Sequence, residues 1–244
     1  MGETVTLEHR FQGFADGALG GYAAGVAASR IEGPAEANLR SLPPLERELE
    51  FKASDDGSLG LWDGDTLVVE ARPGGFELDV PEPPAPEEAE AANHNPAHDH
   101  GRHLYPDCFT CGPNRTAGDG LRLFMGLVPD RLGILAAAWT PDPGLAAAPA
   151  LPEEFVWAAL DCPTIWAAWL TDDGAVNWPE DGRFTVLARQ RVELLGPVPT
   201  GEPAIVTAWP ISHEGRKHLT GAAIQTPDGE LLARGESLLI DVKR

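Results

Sequence analysis

Two stretches of this chain offer a helix no face for water. Gly17 to Ile31 (GALGGYAAGVAASRI) and Pro152 to Leu170 (PEEFVWAALDCPTIWAAWL) are both nearly apolar all round. A helix with that pattern must be enclosed by other elements rather than laid on a surface. Asp16 is placed to cap the first helix, and Pro152 with Glu153-Glu154 supplies opening signals for the second. Gly20, Gly21 and Gly25 each cost about 1 kcal/mol against alanine inside a helix. Their presence predicts that a packed strand or a ligand approaches the helix backbone closely there.

Each apolar segment is followed by strand-like runs. Ala37-Leu42, Arg47-Ala53, Ser58-Trp62 and Thr66-Ala71 come after the first, with Asp55-Asp56-Gly57 and Asp63-Gly64-Asp65 as turns. Leu121-Val128 and Gly133-Trp139 read as a hairpin before the second helix. Phe184-Leu195, Ala204-Ile211, His218-Gln225 and Leu231-Val242 read as long strands after it. Between the halves lies Pro81-Glu82-Pro83-Pro84-Ala85-Pro86, then an acidic run and a histidine-rich segment. This composition predicts a linker over 81–103, separating an N-terminal unit (1–80) from a C-terminal one (104–244). The class is α+β, with each unit an antiparallel curved sheet wrapped around a long apolar helix.

Bulk properties exclude several functions. The net charge is −20, from 38 acidic and 18 basic residues, with no basic cluster to displace counterions from nucleic-acid phosphates. An anionic membrane surface would repel such a chain, and Asp161 and Pro163 interrupt the longest apolar run. Three cysteines, Cys108, Cys111 and Cys162, are too few for a disulfide scaffold, and Met1-Gly2-Glu3-Thr4 is no signal peptide. The expectation is a cytoplasmic protein, monomer or homodimer, with neither nucleic acid nor membrane as partner.

Several segments resemble the thioesterase-like hotdog superfamily. Cys108-Phe109-Thr110-Cys111-Gly112-Pro113 with Gly120-Leu121-Arg122-Leu123 resembles the lead into the first strand of single-hotdog acyl-CoA thioesterase relatives. Leu160-Asp161-Cys162-Pro163 resembles their central helix, and Gly215 to Gly235 their closing hairpin. Gly20-Gly21-Tyr22-Ala23-Ala24-Gly25 is similar to the helix opening of tandem acyl-CoA thioesterases, with Ala18-Leu19 where many relatives carry a histidine. The resemblance implies a double hotdog whose substrate is a small-molecule acyl or aroyl thioester and which needs no cofactor.

It also implies site residues. Asp161, a carboxylate in an apolar helix, would orient or deprotonate the attacking water, since desolvation makes a carboxylate a better base. The plain alternative is that Asp161 caps a second helical segment starting at Pro163. Amides at the Gly20-Gly21-Tyr22 helix opening would polarise the thioester carbonyl, or these small residues serve close packing. Thr164 would hold water or the carbonyl, or else bond a backbone carbonyl. Gln190, Arg189 and Arg191 are the candidates for a second polar group facing Asp161, and strand alternation puts Gln190 on the face opposite both arginines. Trp157, with Trp166 and Trp169, would line an acyl pocket or pack the core. His94, His98, His100 and His103 with Cys108 and Cys111 offer zinc ligands. Their spacing fits no common knuckle, so a loop beside a tight turn and no metal are expected. His213 and His218 are expected to face solvent. The rival to a hydrolase is a hotdog that binds an acyl-CoA or another apolar ligand without turnover.

Overall fold

A computed structural model describes residues 2–13, 16–93, 103, 105–171, 174–176 and 183–243. The first half contributes β1 (Thr4–Thr6), α1 (Gly20–Ala28), β2 (Ala35–Leu39), β3 (Glu48–Ala53), β4 (Leu59–Asp63) and β5 (Thr66–Pro73). Next come α2 (Pro86–Asn93), β6 (Gly126–Leu127), β7 (Leu135–Trp139) and α3 (Glu153–Ala168). The chain closes with β8 (Arg183–Leu194), β9 (Ala204–Glu214), β10 (Lys217–Gln225) and β11 (Leu231–Lys243). All strands among the described residues join one antiparallel sheet of eleven, in the order β1-β3-β4-β5-β2-β8-β11-β10-β9-β7-β6.

The two halves meet where β2 pairs with β8, from Ala35 opposite Val192 to Asn38 opposite Arg189. A charged row crosses this seam in register: Arg72 on β5, Glu36 on β2, Arg191 on β8 and Glu236 on β11. Arg72 Nη2 lies 2.6 Å and Arg191 Nε 2.7 Å from the Glu36 carboxylate, which is only 4% exposed. Burial by itself would raise the pKa of Glu36, but hydrogen bonds from Arg191, Asn38 and Arg72 outweigh it and hold the group at about 2.

Helix α1 packs on β2, β4 and β5 of its own half and on β8 across the seam, and α3 packs on β7 to β11. The helices also touch each other. A Cβ on Gly21 would stand 2.4 Å from Asp161 Cβ, and one on Gly25 would stand 2.6 Å from Glu154 Cα. The close approach at Gly21 and Gly25 is therefore that of the second helix and not of a strand or ligand, while Gly20 meets Leu39 of β2 and Leu187 of β8.

Several expectations need correction. Helix α1 starts at Gly20, not Gly17, and Leu19 occupies its N-cap with no side-chain cap, so Asp16 has no capping role. Residues before Gly20 instead make backbone bonds elsewhere: Ala18 N–H to Pro43 O and Leu19 N–H to Phe11 O. Helix α3 runs through Pro163 without a break, which removes Asp161 as the cap of a second segment. Of Leu121-Val128, only Gly126–Leu127 pairs as strand. The expected linker contains α2, opened by Pro86 and capped where the Glu88 carboxylate accepts from Ala85 N–H. Buried Ala89 and Ala92 pack it with Ala136, Val128 and Ile205, apart from the main core. Its acidic face stays in water while an alanine stripe grips the sheet. Finally, His218 is buried, with Nε2 3.1 Å from Asp241 Oδ2 and its ring stacked on exposed His213.

Candidate active site

Asp161 sits at the middle of α3, 1% exposed. Its Oδ2 accepts a 2.7 Å hydrogen bond from the Gly21 amide in the first turn of α1. The first amides of a helix lack intrahelical acceptors and carry its positive end, so a carboxylate fits there. Its Oδ1 is buried with no hydrogen-bond partner among the described residues. Burial raises the Asp161 pKa, the Gly21 bond lowers it, and negative charge at Cys108 raises it, leaving the group at about 7. Such a carboxylate exchanges a proton near neutrality.

A cavity of about 610 Å³ adjoins it. Its walls include Gly20, Leu39, Ile165, Trp166, Trp169, Leu187 and Ile240, with Asp161 among them and Arg40, Ser41 and Asp16 also on its lining. An apolar chamber with few polar groups is the usual form of a small-molecule site. Tyr105, His103 and all three cysteines line it as well.

Of the other residues singled out from sequence, Gly20 lines this cavity, whereas Gly21, Tyr22, Trp157, Thr164 and Gln190 fall around it. Gly21 is bonded to Asp161, so its amide is already engaged and is not the donor to a carbonyl. Tyr22 stacks on Phe11 at 3.9 Å within a cluster that includes Phe109 and Phe155. Trp157 is buried against Gly25, and its carbonyl accepts from Gln190 Nε2 at 3.2 Å. Gln190 does face α3, opposite the faces of Arg189 and Arg191, and its Oε1 has no partner among the described residues. The Thr164 hydroxyl donates to Asp161 O at 2.6 Å, the backbone bond rather than the free hydroxyl. Trp166 and Trp169 are the tryptophans of α3 that line the cavity.

Of the histidine segment, His94, His98 and His100 lie outside the described residues. Cys108 and Cys111 meet Cys162 of α3, with the three sulfurs within 4.8 Å of one another. Sequence spacing pairs the first two with histidines and has no means of reaching the third, which comes from a distant helix.

No protein-family model matches the chain, and no curated protein does. Solved structures do match over its whole length. An acyl-CoA thioesterase II from Mycobacterium marinum superposes with a TM-score of 0.60 at 15% identity, covering 99% of this chain and 93% of that one. The tesB protein of Mycobacterium avium subspecies paratuberculosis gives 0.57 at 15% identity, covering 98% and 92%. A conserved protein with a hot dog fold from Alicyclobacillus acidocaldarius gives 0.59 at 13% identity, covering 99% and 93%. The chain is a hotdog-fold protein. Its whole-chain likeness extends to structures that carry the thioesterase II name, and no helix among the described residues is long and apolar enough to cross a membrane.

Proposed function

We propose that this protein is a tandem hotdog hydrolase of acyl or aroyl thioesters, with Asp161 as general base. The observation that carries the reading is the Asp161 carboxylate itself. One oxygen is fixed by the Gly21 amide, the other is buried without a hydrogen-bond partner among the described residues, and Asp161 is part of the lining of an apolar chamber. A partnerless carboxylate oxygen in such a place is costly unless it is used.

In this reading the acyl group lies among Trp166, Trp169 and Leu187, and the thioester carbonyl points to the opening of α1. Asp161 takes a proton from a water, and the hydroxide adds to the carbonyl carbon. The Gly20 amide, at the helix end on the cavity wall, receives the oxyanion. Collapse of the tetrahedral intermediate breaks the C–S bond, and the proton held by Asp161 returns to the thiolate. The products are a carboxylic acid and a thiol. Gly21 acts by positioning Asp161, and Gln190 by holding the turn of α3 that precedes it at the Trp157 carbonyl. Tyr22, Trp157 and Thr164 support the two helices that frame the site. The names of the thioesterase II structures agree with this chemistry, and coenzyme A is the thiol carrier proposed.

Release of free thiol from a panel of acyl- and aroyl-CoA esters tests the reading. Turnover of at least one ester is expected. Tight binding of an ester with no thiol release over hours would instead make the chain a non-catalytic binding protein.

A further inference from the structure

Three free thiols converge on one wall of the cavity. Cys108 and Cys111 lie on a tight turn in which the Gly112 amide donates to the Cys108 carbonyl at 2.9 Å. Cys162 comes from α3, with its sulfur 3.5 Å from that of Cys108. All three side chains are buried and none is in a disulfide. The turn and the helix are separated by 54 residues between Cys108 and Cys162, so this meeting is a product of the fold and not of local sequence.

Three thiolates in an apolar wall would be untenable without a cation. The spacing of the sulfurs fits one. With Zn–S bonds of about 2.3 Å, a tetrahedral site separates its sulfurs by about 3.8 Å. The 3.5 Å contact and the 4.8 Å envelope bracket that value. Soft sulfur ligands select zinc over magnesium, calcium or manganese.

We propose that Cys108, Cys111 and Cys162 bind one zinc ion as three thiolates, leaving the fourth position to a water from the cavity. Each thiol releases its proton to solvent as its Zn–S bond forms, and no electron is transferred. The ion joins the 108–112 turn to α3 and forms part of the floor of the chamber. This goes beyond the hydrolase reading and does not rest on it, because the donor set and its geometry stand whether or not a thioester is cleaved.

The test is made on the reduced, full-length chain, stripped with a chelator and then titrated with zinc under a competing indicator. One zinc per chain is expected, with all three cysteines becoming protected from alkylation. Cobalt in place of zinc is expected to give the intense near-ultraviolet thiolate-to-cobalt absorption of sulfur ligation. One-to-one binding is expected to be lost in Cys108→Ser, Cys111→Ser and Cys162→Ser alike. If a variant fails to fold, the alkylation and cobalt results on the unaltered chain still decide. No zinc uptake by the reduced chain would overturn the proposal. So would uptake that leaves the cysteines fully alkylatable, or that survives all three substitutions, since the ion would then sit elsewhere. Ready formation of a Cys108–Cys162 disulfide in a chain with no zinc affinity would overturn it in favour of a redox pair.

Discussion

The Gly21 amide donates to Asp161 Oδ2 across 2.7 Å, joining residues 140 positions apart at the crossing of the two enclosed helices. The contact exists because Gly21 has no side chain: its missing Cβ would overlap Asp161 Cβ at 2.4 Å and crowd the Trp157 carbonyl at 2.9 Å. One glycine thus sets both the distance between the helices and the orientation of the carboxylate.

Gly21→Ala should therefore injure stability and site together. Overpacking of this kind costs about 1–3 kcal/mol, because the atoms in the way are backbone and Cβ and cannot swing aside. Gly20→Ala is the control. Its added methyl would meet side chains alone, Leu39 Cδ2 at 3.0 Å and Leu187 Cδ2 and Cβ at 3.2 and 3.3 Å. Urea unfolding should show the larger loss for Gly21→Ala. Equal losses would mean that the helix crossing is softer than its geometry implies.

The seam between the halves should show itself in the pH dependence of stability. Glu36 is held at about 2 in the fold, against an ordinary value of 4.5. A group with a depressed folded pKa contributes stability that is complete above 4.5 and is lost as pH falls toward 2. The stability gap between the native chain and Glu36→Gln should be constant from pH 7 to about 5 and narrow below 4.5. A gap that keeps its full size at pH 3 would show that the carboxylate's charge contributes nothing there.

Helix α2 gives a prediction in the opposite sense. A Cβ on Gly126 would stand 1.7 Å from the Ala92 carbonyl, so the helix sits on bare backbone. Gly126→Ala should loosen α2 and raise amide exchange in residues 86–93, while thioester turnover persists, because Ala89 and Ala92 belong to a cluster apart from the main core. Loss of turnover with an intact α2 would contradict this separation.

What could be read from sequence followed the range of the forces involved. The two enclosed helices were legible because all-round apolarity is a local property, and the long strands after α3 because their runs and turns are local too. The end of α1 was misplaced because Ala18 and Leu19 are claimed by the carbonyls of Pro43 and Phe11, which no local pattern encodes. The α2 segment reads as linker because its proline and glutamates outweigh its three alanines, yet the two buried ones, Ala89 and Ala92, suffice once a sheet face is present. At the site, the cost of a carboxylate in an apolar helix pointed to Asp161, and three glycines pointed to a close approach. That the approaching group is α3, and that Cys162 joins Cys108 and Cys111, depends on contacts between segments far apart in the chain.

The most direct test of the central claim is steady-state hydrolysis of the best acyl- or aroyl-CoA ester by the native chain beside Asp161→Asn, with folding checked by circular dichroism. The asparagine keeps the size of the side chain and an oxygen for the Gly21 amide, but it cannot take a proton from water. Loss of a general base predicts a fall in kcat of about 10²–10⁴-fold with the fold preserved. A folded Asp161→Asn chain that turns over the ester at the native rate would contradict the account.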